Sequence, residues 1–467
     1  MSGETLLSTT QSVCPRCFRI LDAFRVMRED AVFLRKECPE HGVFETPVWR
    51  GQPFFDFWRR PKIPAHPKTP FTAVEKGCPW DCGLCPEHRQ QTCTALIEVT
   101  ERCNLRCAWC FADSGADGCS QDPDLDAIER SYRSVLKAGG PFNVQISGGE
   151  PTVRDDLPQI ISLGRSLGFT FIQINTNGLR LAQDSNYAKE LKDAGAASIF
   201  LQFDSIGDAS NTALRGRPLF REKKLAVEHC AEHGLGVVLV PTLVPGINVH
   251  EIGGIIQFAV RHMPAVRGVH FQPVSYFGRY PGPNSPPARI TIPEIIREIE
   301  SQTEGELQAS HFQPPGCENA LCSFHGNFVL LSGGKLKAWS SHDPARCCSP
   351  PSPAEAGAAQ ARSFVSRFWS HPGEAERSEK GPSLGGWDDF LDRARTHCLC
   401  ISGMAFQDAW NLDLERLKDC CIHVVDTQGR LVPFCAYNLT DSMGRSFYRR
   451  QKARDKSSRE DREDSDI

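Results

Sequence analysis

Between Thr94 and about Ser275, short apolar runs alternate with longer amphipathic stretches. The strand candidates are Ala95 to Thr100, Phe142 to Ser147, Phe169 to Asn175, Ser198 to Asp204, Gly236 to Leu243 and Val269 to Val274. Helix candidates lie between them at Leu125 to Ala138, Leu157 to Leu167, Tyr187 to Ala194 and Glu222 to His233. This alternation predicts an α/β fold with a parallel sheet. Six repeats suggest a partial (β/α)6 barrel of the TIM type, with functional residues just past the strand ends.

Cysteine usage is the second constraint. The chain has 21 Cys, too many for ordinary packing. Met1 to Val13 is short and polar, and no stretch approaches the ~20 apolar residues of a membrane span. A cytoplasmic protein is therefore expected, where metal or cluster ligation is a better use of thiols than disulfides. Cys119 and Cys230 stand alone and read as small buried hydrophobes. Lys plus Arg (53) nearly balances Asp plus Glu (57), so a nucleic-acid partner is disfavoured.

The Cys, Gly and Pro spacing divides the chain. Residues 10–50 carry Cys14, Cys17, Cys38 and His41, the CxxC and CxxH pattern of a small rubredoxin- or zinc-ribbon-like module. Its soft ligand set accepts one zinc or iron ion. Residues 51–93 end in Cys78, Cys82, Cys85 and Cys93, a full ligand set for an auxiliary four-iron cluster. Residues 94–275 form the barrel. Residues 276–448 carry further Cys groups around an insert, 349–386, rich in Pro, Ser, Gly and charge and read as a mobile surface excursion. The tail, 449–467, is almost wholly charged and reads as disordered. Cys420 and Cys421, followed by Gly429 to Cys435, look like a hairpin that joins distant thiols. A second auxiliary cluster would draw on Cys317, Cys322, Cys421 and Cys435, with Cys347 and Cys348 as bystanders.

The first strand runs into Cys103-Asn-Leu-Arg-Cys107-Ala-Trp-Cys110. Three thiolates at CxxxCxxC can hold three irons of a [4Fe-4S] cluster and leave the fourth open to the amino and carboxylate groups of S-adenosylmethionine. The spacing alone also suits zinc or a ferredoxin-type site. The second strand, however, leads directly to Gly148-Gly149-Glu150-Pro151, where two glycines allow close approach and Glu150 offers a carboxylate to an ammonium group. The Cys78 loop has the same spacing, but its fourth thiol would close the open iron and no glycine-rich strand end follows it. Trp109 and Phe111 either shield the cluster, stack on adenine or pack in the core.

These motifs resemble the radical S-adenosylmethionine (radical SAM) superfamily over residues 94–275. The resemblance implies a 5′-deoxyadenosyl radical that abstracts hydrogen, with Cys103, Cys107 and Cys110 as catalytic cluster ligands. It also implies cofactor contacts from Gly148, Gly149, Glu150, Asn175, Asn177, Gln202, Asp204 and Asn248. Ordinary strand-end turn chemistry is the competing reading for the Asn, Gln and Asp residues. The ribbon, the four-Cys loop, the Phe271 to Arg279 stretch and Pro433-Phe-Cys435 together resemble the archaeal tetraether lipid synthases and their bacterial relatives. Members of that group have also been described as pterin-modifying methyltransferases.

The first expectation is therefore C–C coupling of lipid alkyl chains, with peripheral contact at a membrane surface. The alternative is a radical SAM methyltransferase acting on a pterin-type small molecule. Either needs a low-potential electron donor such as ferredoxin or flavodoxin. A third class, a multi-cluster electron carrier or maturation factor, has no need of the Gly-Gly-Glu-Pro segment.

Overall fold

The computed structural model of the chain describes residues 3–115, 121–282, 288–341, 351–372 and 386–449. Cys119, Cys347 and Cys348 lie outside the described residues. Four antiparallel strands, β1 (Thr5–Val13), β2 (Ile20–Arg28), β3 (Ala31–Cys38) and β4 (Gly42–Arg50), form the N-terminal ribbon. Each hairpin turn between β1 and β2 and between β3 and β4 carries two of the four ribbon ligands. A short strand, β5 (Lys62–Ile63), follows.

The barrel strands come next: β6 (Thr94–Glu98), β7 (Asn143–Ser147), β8 (Ile172–Thr176), β9 (Ser198–Gln202), β10 (Gly236–Val240), the short β11 (Thr242–Leu243) and β12 (Val266–Pro273). They pair in parallel and in chain order, with β11 against β12. All six predicted strands are present, the fifth divided between β10 and β11. Covered on both faces, such strands need no polar alternation, and every residue of β10 is buried. The flanking helices are α1 (Leu125–Lys137), α2 (Leu157–Ser166), α3 (Leu179–Gln183), α4 (Ser185–Ala194), α5 (Asp208–Arg215), α6 (Phe220–Glu232), α7 (Ile252–Arg261) and α8 (Ile292–Gln302). In α1, Asp124 caps the N-terminus by accepting from Ala127 N, and Ile128, Tyr132 and Val135 form the buried stripe. Cys230 lies buried on α6, as a lone thiol should.

The C-terminal region extends this sheet at both ends. After β13 (Ser323–Leu330), β14 (Leu336–Ala338) and β15 (Ser352–Pro353), the strand β16 (Cys398–Met404) pairs in parallel with β12. At the other end, β17 (Ile422–Val425) pairs in parallel with β6 and antiparallel with β18 (Leu431–Pro433). The helices of this region are α9 (Ala354–Phe368), α10 (Gly386–Thr396), α11 (Leu414–Lys418) and α12 (Phe434–Tyr437).

Two sequence expectations are corrected here. The 349–386 stretch is not simply a surface excursion, because α9 packs so closely that a Cβ at Gly357 would collide with the Gly316 carbonyl. The tail does not begin at residue 449 either. Arg449 is bound to Glu98 at 2.6 Å with its side chain 11% exposed. The ribbon docks on the 409–413 loop through Thr10 to Asp413 (2.7 Å), Lys36 to the Ala409 carbonyl (2.8 Å) and Thr46 to the Trp410 carbonyl (3.1 Å). Among the described residues no helix is long and apolar enough to cross a membrane.

Candidate functional site

The loop bearing Cys103, Cys107 and Cys110 leaves the end of β6 and lies against the segment that leaves β7. Gly149 N donates to the Thr100 carbonyl (2.8 Å) and Glu150 N to the Arg102 carbonyl (2.9 Å). A Cβ at Gly148 would strike the Thr100 carbonyl oxygen, and one at Gly149 the Arg102 carbonyl oxygen. The glycines therefore admit the backbone of the Cys loop itself, where the sequence suggested a ligand.

Three arginines distant in sequence hold this loop, and sequence reasoning assigned a role to none of them. Arg279 donates to the Cys107 carbonyl (2.8 Å) and the Ser114 carbonyl (2.9 Å), and its backbone exchanges two hydrogen bonds with Cys110. Arg215 donates to the Trp109 carbonyl (2.9 Å) and forms a buried pair with Asp204. Arg449 sits over the Phe111 ring, 5.7 Å from its centroid. Trp109 packs edge-on against Tyr276, and the Phe111 ring lies tilted against Phe434. Burial, with the charge of Glu150 and the neighbouring thiols, pushes the Cys103 thiol up to about 12. Burial likewise raises the Cys107 thiol. Crowded, reluctant thiols suit a metal cluster, whose charge removes their protons.

The other predicted cofactor residues separate into two groups. Glu150 is 1% exposed. Its Oε1 accepts from Thr152 N (3.1 Å), Thr152 Oγ1 (2.7 Å) and Thr176 Oγ1 (2.6 Å), and its Oε2 from Asn177 N (2.6 Å). Four donors leave little of the carboxylate for an ammonium group. Asn177 bridges to Asn104 in the Cys loop (2.7 Å). Gln202 is within reach of Lys223 (3.3 Å) and Asn175 donates to Gln145 (3.3 Å). Gly148, Gly149, Glu150, Asn175, Asn177 and Gln202 all line one cavity with the three cysteines.

Asp204 and Asn248 do not line it. Asp204 is fully buried and spends its carboxylate on Arg215 and Thr242 N. Asn248 spends its amide on Val244 N, the Asp204 carbonyl and the Thr242 carbonyl. Both hold the strand-end turns, as the competing reading had it.

Among the described residues, two sets of ligand atoms converge to within 4.8 Å: Cys14, Cys17, Cys38 and His41, and Cys93, Cys317 and Cys421. In the ribbon the Cys17 and Cys38 sulfurs are 4.0 Å apart, and His41 Nδ1 lies 3.5 Å from Cys14 and 3.4 Å from Cys38. Burial pushes Cys38 upward, but the Glu40 backbone N–H and His41 outweigh it and bring the thiol down to about 6. Such a compact mixed set fits one tetrahedral ion.

The second set corrects both auxiliary-cluster assignments. Cys93 does not join Cys78, Cys82 and Cys85, because the β6–β17 register places Thr94 opposite Ile422 and so sets Cys93 beside Cys421. Cys322 and Cys435 do not join Cys317 and Cys421. The Cys322 sulfur accepts from Arg416 (3.4 Å) and the Cys435 sulfur from Gln407 N (3.2 Å). The β17–β18 hairpin is present as expected, yet its two ends serve different places. Cys78, Cys82 and Cys85 stay together: contact with Cys82 raises the Cys78 thiol, and contact with Cys78 raises Cys85.

The cavity has a volume of about 580 Å³ and runs through the barrel interior. Cys103, Cys107 and Cys110 line one part of it and Cys93, Cys317 and Cys421 another, whereas Cys78, Cys82 and Cys85 do not reach it. Gly357, Gln360, Phe364 and Val365 of α9 form part of the wall.

Comparison with known proteins agrees with this geometry. Residues 97–259 match the radical SAM superfamily, and residues 6–50 match the HMPTM N-terminal zinc ribbon domain. The chain is similar to the 7,8-dihydro-6-hydroxymethylpterin dimethyltransferase of Methanocaldococcus jannaschii, 34% identical over 92% of this chain and 93% of that protein. It is also similar to the GTP 3′,8-cyclase of Chlorobaculum tepidum, 27% identical over 50% of this chain and 71% of that one. Among solved structures, Streptococcus suis SuiB bound to S-adenosylmethionine is 17% identical with a TM-score of 0.38. That match covers 46% of this chain and just under half, 48%, of SuiB.

Proposed function

The chain belongs to the radical SAM superfamily, and from that premise we propose that it is a methyltransferase acting on a pterin-type small molecule. It is an iron–sulfur-dependent radical SAM enzyme with an N-terminal zinc ribbon. The pterin class is supported by a relative, matched over nearly its whole length, that is named for dimethylation of a hydroxymethyl-dihydropterin. Coupling of lipid chains, the first expectation from the sequence, has no such support.

The observation that carries the proposal is the single cavity shared by two thiol sets. Cys103, Cys107 and Cys110 would hold the radical-initiating [4Fe-4S] cluster. Asn177 and Gln202 line the same cavity and stand where they can position S-adenosylmethionine beside it, while Glu150 ties the β7 strand end to Thr176 and Asn177. When bound, the reduced cluster and S-adenosylmethionine supply an oxidant strong enough to take hydrogen from an unactivated C–H bond. Cys93, Cys317 and Cys421 would hold an auxiliary cluster on the substrate side, with Glu318 nearby, 3.7 Å from the Cys421 sulfur. Cys78, Cys82 and Cys85 lie outside the cavity and suit an electron relay from a ferredoxin- or flavodoxin-type donor.

The test is anaerobic turnover of the reconstituted protein with 7,8-dihydro-6-hydroxymethylpterin, S-adenosylmethionine, a methyl or methylene donor and a low-potential reductant. A methylated pterin by mass spectrometry, absent with Cys107→Ala, is the expected result. Cleavage to 5′-deoxyadenosine without any pterin product, together with new membrane-spanning lipids in an expressing host, would replace this reading with lipid coupling.

A further inference from the structure

The interior of the barrel carries a feature that neither the cluster loops nor the cofactor contacts use. Three amides from neighbouring strands form a ladder: Asn175 donates to Gln145 Oε1 (3.3 Å), Gln145 to Gln173 Oε1 (2.7 Å) and Gln173 to Ser198 Oγ (3.2 Å). The ladder begins at Asn175, whose buried Oδ1 accepts no hydrogen bond. Asn327, on β13, also lines the cavity and likewise carries a buried Oδ1 without a donor. Unpaired buried acceptors are rare in native proteins, and two of the same kind on one chamber call for a donor-bearing ligand.

The same chamber holds a group of rings. Phe200 and Trp369 stack at 5.8 Å, and His270 lies 5.6 Å from Phe200 and 6.0 Å from Trp369. Burial pushes His270 down to about 4, so its ring is neutral and suited to packing against another ring. Its Nδ1 is within 2.9 Å of Ser402 Oγ, which fixes the plane. An aliphatic chain in this space would offer the amides no donor, whereas a flat heterocycle bearing N–H groups meets both features.

We propose that Asn175 and Asn327, with the Phe200, His270 and Trp369 rings, form the substrate subsite, reading the N–H edge of a reduced pterin-type ring and packing against its face. This rests on the pterin-type reading above, and it moves Asn175 from the cofactor to the substrate. The ring N–H and exocyclic amine groups of a dihydropterin supply the donors that the two amide oxygens lack.

The experiment is anaerobic equilibrium dialysis of 7,8-dihydro-6-hydroxymethylpterin, with guanosine as a second flat, donor-bearing ring, against the reconstituted full chain loaded with S-adenosylmethionine. Asn175→Leu and Asn327→Leu should each weaken pterin binding by about tenfold or more, while Asn327→Asp, which keeps the acceptor, should bind within about threefold of the parent. Iron content and melting temperature equal to the parent's establish that each variant has folded, and the Asp variant serves where a Leu variant has not. Pterin binding that ignores all three substitutions overturns the subsite and leaves the pterin reading intact. Guanosine binding lost in the Leu variants, without pterin binding, keeps the subsite and overturns the pterin reading; binding of neither ring overturns both.

Discussion

Cys93 N donates to the Cys421 carbonyl at 2.7 Å, so two cysteines from opposite ends of the sequence enter neighbouring parallel strands side by side. Cys317 is brought to them by the segment before the barrel: Gln90 Nε2 and Lys62 Nζ both donate to its carbonyl, at 2.5 and 2.7 Å. One set of three converging thiols is thus assembled from three regions that the spacing of cysteines in the chain does not connect.

If these three thiols serve one cluster, their removals cannot add. Cys93→Ala and Cys317→Ala should each lower bound iron and sulfide by the same amount, and the double variant by no more than either. Cys93→Ala combined with Cys78→Ala should lose the sum, because Cys78 belongs to the other loop. Iron and sulfide analysis with low-temperature electron paramagnetic resonance reads both outcomes; additivity of Cys93 with Cys317 would return Cys93 to the four-Cys loop.

The glycine pair gives a separate handle on the radical loop. Gly149→Ala places a methyl group against the Arg102 carbonyl, in backbone that Arg102 and Asp122 already fix by an ion pair. Overpacking of this kind costs about 1–3 kcal/mol. The expected result is a lower melting temperature with selective loss of cluster from the Cys103 loop, while the ribbon keeps its metal. A ligand-facing role for the glycine would instead spare stability and cluster content and weaken S-adenosylmethionine binding alone.

Asp204 and Arg215 show what a buried pair at the site does for the fold. Their side chains are 0% and 4% exposed, and Arg215 ties the pair to the Cys loop through the Trp109 carbonyl. Asp204→Asn strands a buried guanidinium and should cost about 3–5 kcal/mol in urea unfolding. The double change Asp204→Leu with Arg215→Met should cost less than Asp204→Asn alone, because no unpaired charge remains. A double variant that is the less stable of the two would show that the pair is worth more than the apolar packing that replaces it.

Periodicity made the barrel legible, since strands covered on both faces show as uninterrupted apolar runs such as Gly236 to Val240. The ribbon was legible because its ligands sit two by two in hairpin turns, where local spacing and spatial distance coincide. The Cys93 set was not, because strand register decides it and no local pattern reports the register of strands distant in sequence. Arg215, Arg279 and Arg449 were invisible for the same reason: each acts on the Cys loop from another element. The helix α9 was hidden by the composition of its surroundings, although Phe364 and Phe368, one turn apart and stacked at 4.6 Å, signal a packed face.

The barrel interior also sets a pH dependence. His270 is buried, and burial holds its imidazole down at about 4, well below the ordinary value near 6.5. The unfolded chain therefore takes up a proton at this residue as pH falls below 6.5, while the folded chain does not until about 4. Stability linked to His270 is complete above pH 6.5 and is lost as pH falls toward 4, a difference on the order of 3 kcal/mol. His325, half-buried and held down at about 4 by desolvation, adds in the same direction. Urea midpoints measured from pH 7.5 to 4.5 should fall less steeply for His270→Gln than for the parent chain, because the variant removes one titrating group from the unfolded state. Parallel curves would mean that His270 protonates in the folded chain as readily as in the unfolded one, and the ring group would then carry a charge where the proposed subsite requires a neutral face.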